Sequence, residues 1–135
     1  MSMLYLFNRN IQSNPTTVFG GTTIAGTAGV HYGDAVFGIK YPWTLINYGA
    51  IQGAGTTSYA VFLRDGGKVV NAANGSVVGS IGGGYDGVVI GGSAGTVVNQ
   101  GTISPAATFG AGVYFFAGGT VSTGAPGAAA PLISG

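Results

Sequence analysis

A unit of about 25 residues recurs along the chain, and a period of that length is typical of solenoids. With substitutions in individual copies, the unit reads as an Asn-x-Gly-x-Ile segment, a glycine-containing turn, a short run of β-branched and large apolar residues, a Gly-Gly pair and a Val-x-Asn segment. The clearest copies start at Asn47, Asn74 and Asn99, and a degenerate copy starts near Ile24. The period therefore constrains the fold more than any single motif does.

The local pattern within each unit predicts three short strands. Segments such as Tyr59–Leu63 and 95–99 are rich in strand formers and are bounded by Gly or Asn. Apolar residues do not recur at helical spacing, and Glu is absent from the chain. We therefore predict an all-β fold without helices, a right-handed parallel β-helix of four to five coils with about 25 residues per coil.

The repeat divides the chain into three predicted parts. Residues 20–123 form the β-helix, and 124–135 form an irregular C-terminal tail. Residues 1–19 comprise an apolar N-terminal strand and a polar linker, and the strand either caps its own first coil or adds to the edge of a neighbouring subunit. No apolar run is long enough for a transmembrane helix, which needs about 18 residues.

Asparagine recurs at one corner of the predicted coil. Asn47, Asn71 or Asn74, and Asn99 occupy this corner in successive copies. Stacked Asn side chains form hydrogen-bonded ladders when identical strands lie in register. We therefore predict a structural Asn ladder.

The composition restricts the classes of partner. Only 5% of residues are charged, the net charge is +1, and Cys is absent. Low charge favours self-association, and so small a positive field does not support nucleic-acid binding. Four basic residues are too few to neutralise a row of phosphates.

The repeat style carries a family resemblance. Segments such as 97–103 (VVNQGTI) and 117–121 (AGGTV) resemble the Gly-rich passenger repeats of bacterial autotransporter and filamentous-adhesin surface proteins. The resemblance implies a structural or adhesive module on the bacterial cell surface or in the extracellular space.

Catalytic and metal-binding constellations are weak. Asp34 and Asp86 share one position of the repeat, two rungs apart, whereas Asp65 lies in another position. Nothing in the sequence around them predicts a raised pKa, and one His with three scattered Asp residues forms no metal site. We expect no enzyme activity, no cofactor and no bound metal. The alternative is a glycan-binding or polysaccharide-cleaving β-helix, in which Tyr32, Tyr59 and Tyr85 stack on sugar rings.

Two sets of residues are candidates for self-association into head-to-tail filaments. The first is the N-terminal strand, consisting of Met3, Leu4, Tyr5, Leu6 and Phe7. The second is an outward column of Phe37, Phe62, Val89 and Tyr114, which alternates with inward Val61, Val88 and Val113. Either this column is an exposed apolar stripe, or a loop covers it or the inward set is misassigned.

Overall fold

The computed structural model describes residues 3–124 and 132–134. In this part of the chain the regular structure consists of strands and one 3-10 turn at His31–Gly33, with no α-helix. No helix among these residues is long and apolar enough to cross a membrane. The all-β prediction is confirmed.

The strands form three parallel sheets of five strands each. Sheet 1 contains β1 (Leu4–Leu6), β4 (Val36–Gly38), β7 (Tyr59–Leu63), β12 (Asp86–Ile90) and β15 (Val113–Phe115). Sheet 2 contains β2 (Thr16–Val18), β5 (Trp43–Asn47), β8 (Gly67–Asn71), β13 (Gly95–Asn99) and β16 (Gly119–Thr123). Sheet 3 contains β3 (Thr23–Ala25), β6 (Ala50–Gly53), β11 (Ser80–Gly83), β14 (Thr102–Ser104) and β17 (Leu132–Ile133). A separate antiparallel hairpin pairs β9 (Ala73–Asn74) with β10 (Val77–Val78).

Each strand pairs with its equivalent in the next coil, which makes the molecule a parallel β-solenoid. The chain passes through sheets 1, 2 and 3 in each coil and makes about four turns of about 27 residues, slightly more than the predicted 25. The predicted interior column is present, because Val61 pairs with Val88 and Val88 pairs with Val113. Val61 and Val88 are fully buried, and Val113 is half-buried against the core.

Inward side chains at equivalent strand positions of successive coils stack in columns and fill the interior. Leu45, Val69 and Val97 form a fully buried column in sheet 2, and Ile51, Ile81 and Ile103 form another in sheet 3. Such dry stacking supplies most of the folding free energy, at roughly 25 cal/mol for each Å² of apolar surface removed from water.

The Asn ladder is confirmed, and Asn71 is its middle member. The side-chain nitrogen of Asn47 donates to Oδ1 of Asn71 at 2.9 Å, and that of Asn71 donates to Oδ1 of Asn99 at 2.8 Å. All three side chains are fully buried. Asn74 lies instead in the exposed β9–β10 hairpin, which is inserted between Asn71 and its glycine partner Gly79.

The glycine of the Asn-x-Gly motif has a steric explanation. At Gly79 a Cβ would collide with the backbone oxygen of Asn47, and at Gly101 it would collide with that of Gly79. The coils approach so closely behind the Asn ladder that no side chain fits. The motif therefore encodes the tight corner between sheets 2 and 3.

The N-terminal strand pairs within its own chain. Strand β1 lies beside β4, with Leu4 opposite Val36 and Leu6 opposite Gly38. The segment predicted as a linker includes β2, which pairs with β5. The side chain of Gln12 accepts hydrogen bonds from the backbone N–H groups of Phe7 and Asn8 and donates to the Tyr5 backbone oxygen at 2.6 Å. The Gln12 side chain therefore occupies part of the free edge beside β1.

The last coil is the least covered part of the described chain. All five residues of β16 are exposed, and Val121 retains 45% exposure although Val97, one coil below, has none. The predicted irregular tail at 124–135 contributes β17, which pairs with β14. Residues 125–131 and 135 of that tail lie outside the described residues.

Candidate functional site

Two aspartates lie at the corner where the chain passes from sheet 3 into sheet 1. Asp34 precedes β4 and Asp86 begins β12, and the strand register places both at the same position of the coil. Oδ1 of Asp34 accepts the backbone N–H of Tyr59, and Oδ1 of Asp86 accepts that of Ala111, each at 2.7 Å. Each carboxylate therefore ties its coil to the next one.

A column of aromatic rings covers the outer face of sheet 1 beside this corner. Tyr5, Phe37 and Phe62 follow one another in register, with ring centroids 5.6 and 5.5 Å apart. Val89 and Tyr114 continue the column in the next two coils. The structure thus places Phe37, Phe62 and Tyr114 in the outward column that alternation predicts.

The column is only partly open to solvent. His31 stacks on Phe37 with centroids 4.8 Å apart, so a loop covers the lower part, as one of the predicted alternatives required. Val89 lies in the outward column as predicted, but it is fully buried between its larger neighbours Phe62 and Tyr114. Tyr114 remains 46% exposed.

The N-terminal candidates lie at the lower end of the same face. Leu6 is buried in the core, whereas Met3, Leu4, Tyr5 and Phe7 are half-buried. The Tyr5 ring lies 5.0 Å from Phe7 and 5.2 Å from His31. In this structure these residues complete the first coil of their own chain.

A cavity of about 360 Å³ opens beside Asp34. It is lined by His31, Tyr32, Asp34, Phe37, Thr57, Tyr59 and Phe62. Burial of the carboxyl group raises the pKa of Asp34 to about 6, although the Tyr59 N–H bond and the charge of His31 act in the opposite direction. The expectation that nothing raises an aspartate pKa is therefore wrong, because the sequence could not show how deeply this carboxyl is buried.

The Tyr59 hydroxyl lies in the same electrostatic field. Its pKa is raised by burial first and then by the negative charges of Asp86 and Asp34. Tyr59 therefore remains a neutral hydrogen-bonding group.

Comparisons with known proteins identify no relative, since no family model, curated protein or solved structure matches the chain. Functional arguments therefore rest on the fold and on the chemistry of this corner.

A second, wider cavity of about 440 Å³ lies two coils above the first. It is lined by Tyr59, Tyr85, Asp86, Phe109, Ala111, Tyr114 and Phe116. Tyr32, Tyr59 and Tyr85, predicted to stack on sugar rings, thus lie along one corner and line the two cavities between them.

The corner has the chemistry of a binding surface. Among the described residues no cluster of three or more His, Cys, Asp or Glu could hold a metal ion.

Sequence reasoning missed His31, Thr57, Phe109 and Phe116, because their loops lie outside the regular repeat. The closely spaced Gly26, Gly29 and Gly33 were the one signal that the chain turns sharply near His31.

Proposed function

We propose that the chain is a structural or adhesive β-solenoid module of the bacterial cell surface or the extracellular space, and that it self-associates through its C-terminal coil. The surface location rests on the resemblance of the repeats to passenger and adhesin repeats. The fold supports a structural role because its buried polar side chains form hydrogen bonds between coils. The Asn ladder and all three aspartates form hydrogen bonds with neighbouring coils.

The observation that carries self-association is the exposure of apolar core residues at the last coil. A cavity of about 370 Å³ also opens at the first coil, but the core residues there stay buried. Leu6, Val18 and Ile24 of the first coil are at most 3% exposed, whereas Val121 of the last coil is 45% exposed. Val113, Val121 and Ile133 line an open cavity of about 350 Å³ at that end. An apolar core end with exposed strand edges binds further strands readily.

The occupant we propose is a second copy of the chain. Because the Gln12 side chain already occupies backbone groups of the first coil, a head-to-tail filament would have to displace it. Two copies related by a two-fold axis can make contact through their C-terminal coils without displacing Gln12. Such an assembly is complete with two copies. We therefore favour a tail-to-tail pair over the filament predicted from the sequence.

Sedimentation velocity over a wide concentration range tests this proposal. Val121→Lys should weaken the pair at least tenfold, since a charge would enter the apolar contact. Val77→Lys is a matched control, because Val77 is 41% exposed but lies on the hairpin, and it should leave association unchanged. A monomeric wild-type protein at high concentration, or equal association of both variants, would refute the pair.

A second candidate function is glycan binding along the aromatic corner. It is favoured by Tyr59 and Tyr85 of the upper cavity, because aromatic rings provide apolar platforms for sugar rings. Affinity electrophoresis in gels containing neutral or acidic polysaccharides tests it. Retardation should be lost in Tyr85→Ala and kept in Phe19→Ala, which removes an exposed ring elsewhere.

A further inference from the structure

The Asp34 cavity combines an aromatic wall with a single acid. Four of its seven lining residues are Phe or Tyr, and His31 adds a fifth ring. Asp34 is 3% exposed, and its carboxylate is the only acidic group in the lining. Such a lining is poor in the convergent hydrogen-bonding groups that a neutral polar ligand needs.

The rings are held in a fixed arrangement by contacts with one another. His31 stacks on Phe37, and the Phe62 ring lies 5.5 Å from Phe37 and 5.2 Å from Tyr59, edge to face with the latter. Faces of Tyr and Phe rings carry negative electrostatic potential and attract organic cations within about 6 Å. The wall is therefore suited to a positive charge with an apolar surface.

The loop that completes the cavity has an unfavourable backbone. His31 and Tyr32 adopt φ values of 42° and 59°, in the left-handed region that non-glycine residues seldom occupy. Hydrogen bonds from Gly33 N to Val30 O and from Asp34 N to His31 O hold this turn. Tyr32 is consequently 80% exposed at the cavity mouth. Strained backbone of this kind is concentrated at ligand sites.

The acid has no strong cationic partner of its own. One oxygen of Asp34 accepts the Tyr59 N–H, and among the described residues no side chain donates to the other oxygen. The ion pair found in this part of the chain joins Arg64 to Asp65, away from the cavity. His31 is the one potential cation in the lining.

We propose that the Asp34 cavity binds a small quaternary ammonium group, with Asp34 as its counter-ion and the rings of Tyr32, Tyr59 and Phe62 as its cage. A trimethylammonium group presents methyl groups to the rings and donates no conventional hydrogen bond. It therefore does not need the convergent hydrogen-bonding groups in which this lining is poor. An anion would meet Asp34, and a neutral sugar would leave most of its hydroxyls without partners. The inference is independent of self-association at the C-terminal coil.

Binding should depend on pH through Asp34. The carboxyl group must be ionised to act as the counter-ion, so affinity should fall as the pH drops through about 6. His31, whose positive charge lowers the pKa of Asp34, lines the same cavity. The raised pKa of Tyr59 keeps that hydroxyl neutral in this range, and the charge of Asp86 contributes to raising it.

Titration with tetramethylammonium chloride, followed by NMR of the aromatic ring protons, tests the proposal. Choline and its neutral isostere 3,3-dimethyl-1-butanol are titrated in the same way. The isostere should bind at least tenfold more weakly than choline. Asp34→Asn keeps an acceptor for the Tyr59 N–H and should weaken tetramethylammonium binding at least tenfold, and Tyr32→Ala should weaken it severalfold. Asp65→Asn removes the same charge outside the cavity and should bind like the wild type, because Asp65 lies in the Arg64 ion pair.

Two further binding experiments distinguish a lipid headgroup from a soluble ligand. Cosedimentation with phosphatidylcholine vesicles but not phosphatidylglycerol vesicles, lost in Asp34→Asn, would support the proposal with a lipid headgroup as ligand. Binding of free choline without vesicle binding would support it with a soluble ligand. Any of four results would overturn the proposal. They are equal binding of choline and its neutral isostere, wild-type affinity in Asp34→Asn, tighter binding of methyl glucoside than of tetramethylammonium, and the absence of a saturable shift.

Discussion

The side-chain nitrogen of Asn71 donates a hydrogen bond to Oδ1 of Asn99 at 2.8 Å inside the wall of the solenoid. The same nitrogen lies within hydrogen-bonding distance of the backbone oxygens of Gly79 and Thr102, at 3.0 Å each. Asn71 also accepts from Asn47, so it connects three consecutive coils. One side chain thus satisfies several polar groups that have no access to water.

Replacing Asn71 with Ala should lower the free energy of unfolding by about 3–4 kcal/mol, because each buried polar group left without a partner costs about 1–3 kcal/mol. Asn74→Ala is the control, since Asn74 lies exposed in the hairpin, and its effect should stay within about 0.5 kcal/mol. Urea unfolding monitored by circular dichroism measures both. Equal stability of the two variants would contradict the structural role of the ladder.

The ladder also indicates how far the sequence predicts this fold. The Asn-x-Gly-x-Ile motif identified the corner, yet it could not decide between Asn71 and Asn74. The hairpin at residues 73–78 separates Asn71 from Gly79, and Asn74-Gly75 within that insertion imitates the motif. An inserted turn with repeat-like composition cannot be distinguished from the repeat without knowledge of which strands pair.

The first coil and the cavity were harder to predict for a different reason. Leu4 and Val36 pair across 32 positions of sequence, more than the usual period, because irregular turns intervene. The Asp34 cavity depends on the left-handed backbone at His31 and Tyr32, which the identity of these residues does not favour. Tertiary packing fixes that geometry.

Val88→Asp tests the interior column of sheet 1. Val88 is fully buried between Val61 and Val113, so an aspartate there would place an unpaired charge in a dry core and should prevent folding. Val98→Asp places the same charge on the outer face of sheet 2, where Val98 is half-buried, and should leave a folded protein. Far-ultraviolet circular dichroism and soluble yield compare the two. A folded Val88→Asp protein would refute the assigned register.

Leu6→Ala tests whether the N-terminal strand belongs to its own coil. Leu6 is 1% exposed, and its truncation should cost about 2–4 kcal/mol of unfolding free energy, as for other buried leucines. Ile11→Ala, at a residue that is 72% exposed, should have an effect within about 0.5 kcal/mol. If β1 instead exchanged between subunits, the loss in Leu6→Ala would depend on protein concentration. Deletion of residues 1–7 should likewise destabilise the solenoid.

Ser58→Ala should preserve or increase stability. The Ser58 hydroxyl is buried beside Gly53 and Gly84 and has no hydrogen-bond partner among the described residues. Removing a buried hydroxyl without a partner should raise the free energy of unfolding by up to about 1 kcal/mol. Thermal unfolding measures the change, and Ser80→Ala, at a half-buried serine of sheet 3, is the comparison. A clear loss of stability in Ser58→Ala alone would show that the hydroxyl has a partner, such as an ordered water.

Asp34 should make stability depend on pH. Its pKa is about 6 in the folded protein against 3.8 for an ordinary aspartate, because burial disfavours the charged form. Between these values the folded state binds more protons than the unfolded state, so stability decreases as the pH rises. The contribution of Asp34 is fully present below about pH 4 and is lost as the pH rises through about 6.

Asp34→Asn isolates this contribution because asparagine does not titrate and can still accept the Tyr59 N–H. Relative to the variant, the wild type should lose on the order of 1–3 kcal/mol of unfolding free energy between about pH 4 and 7, at 1.36 kcal/mol per pKa unit. Urea unfolding at several pH values gives this difference, in which groups remote from Asp34 largely cancel. Asp65→Asn, which removes a carboxyl group that does not line the cavity, is the control variant. Parallel profiles for the wild type and Asp34→Asn would show that the carboxyl group of Asp34 titrates normally and is better hydrated than its burial implies.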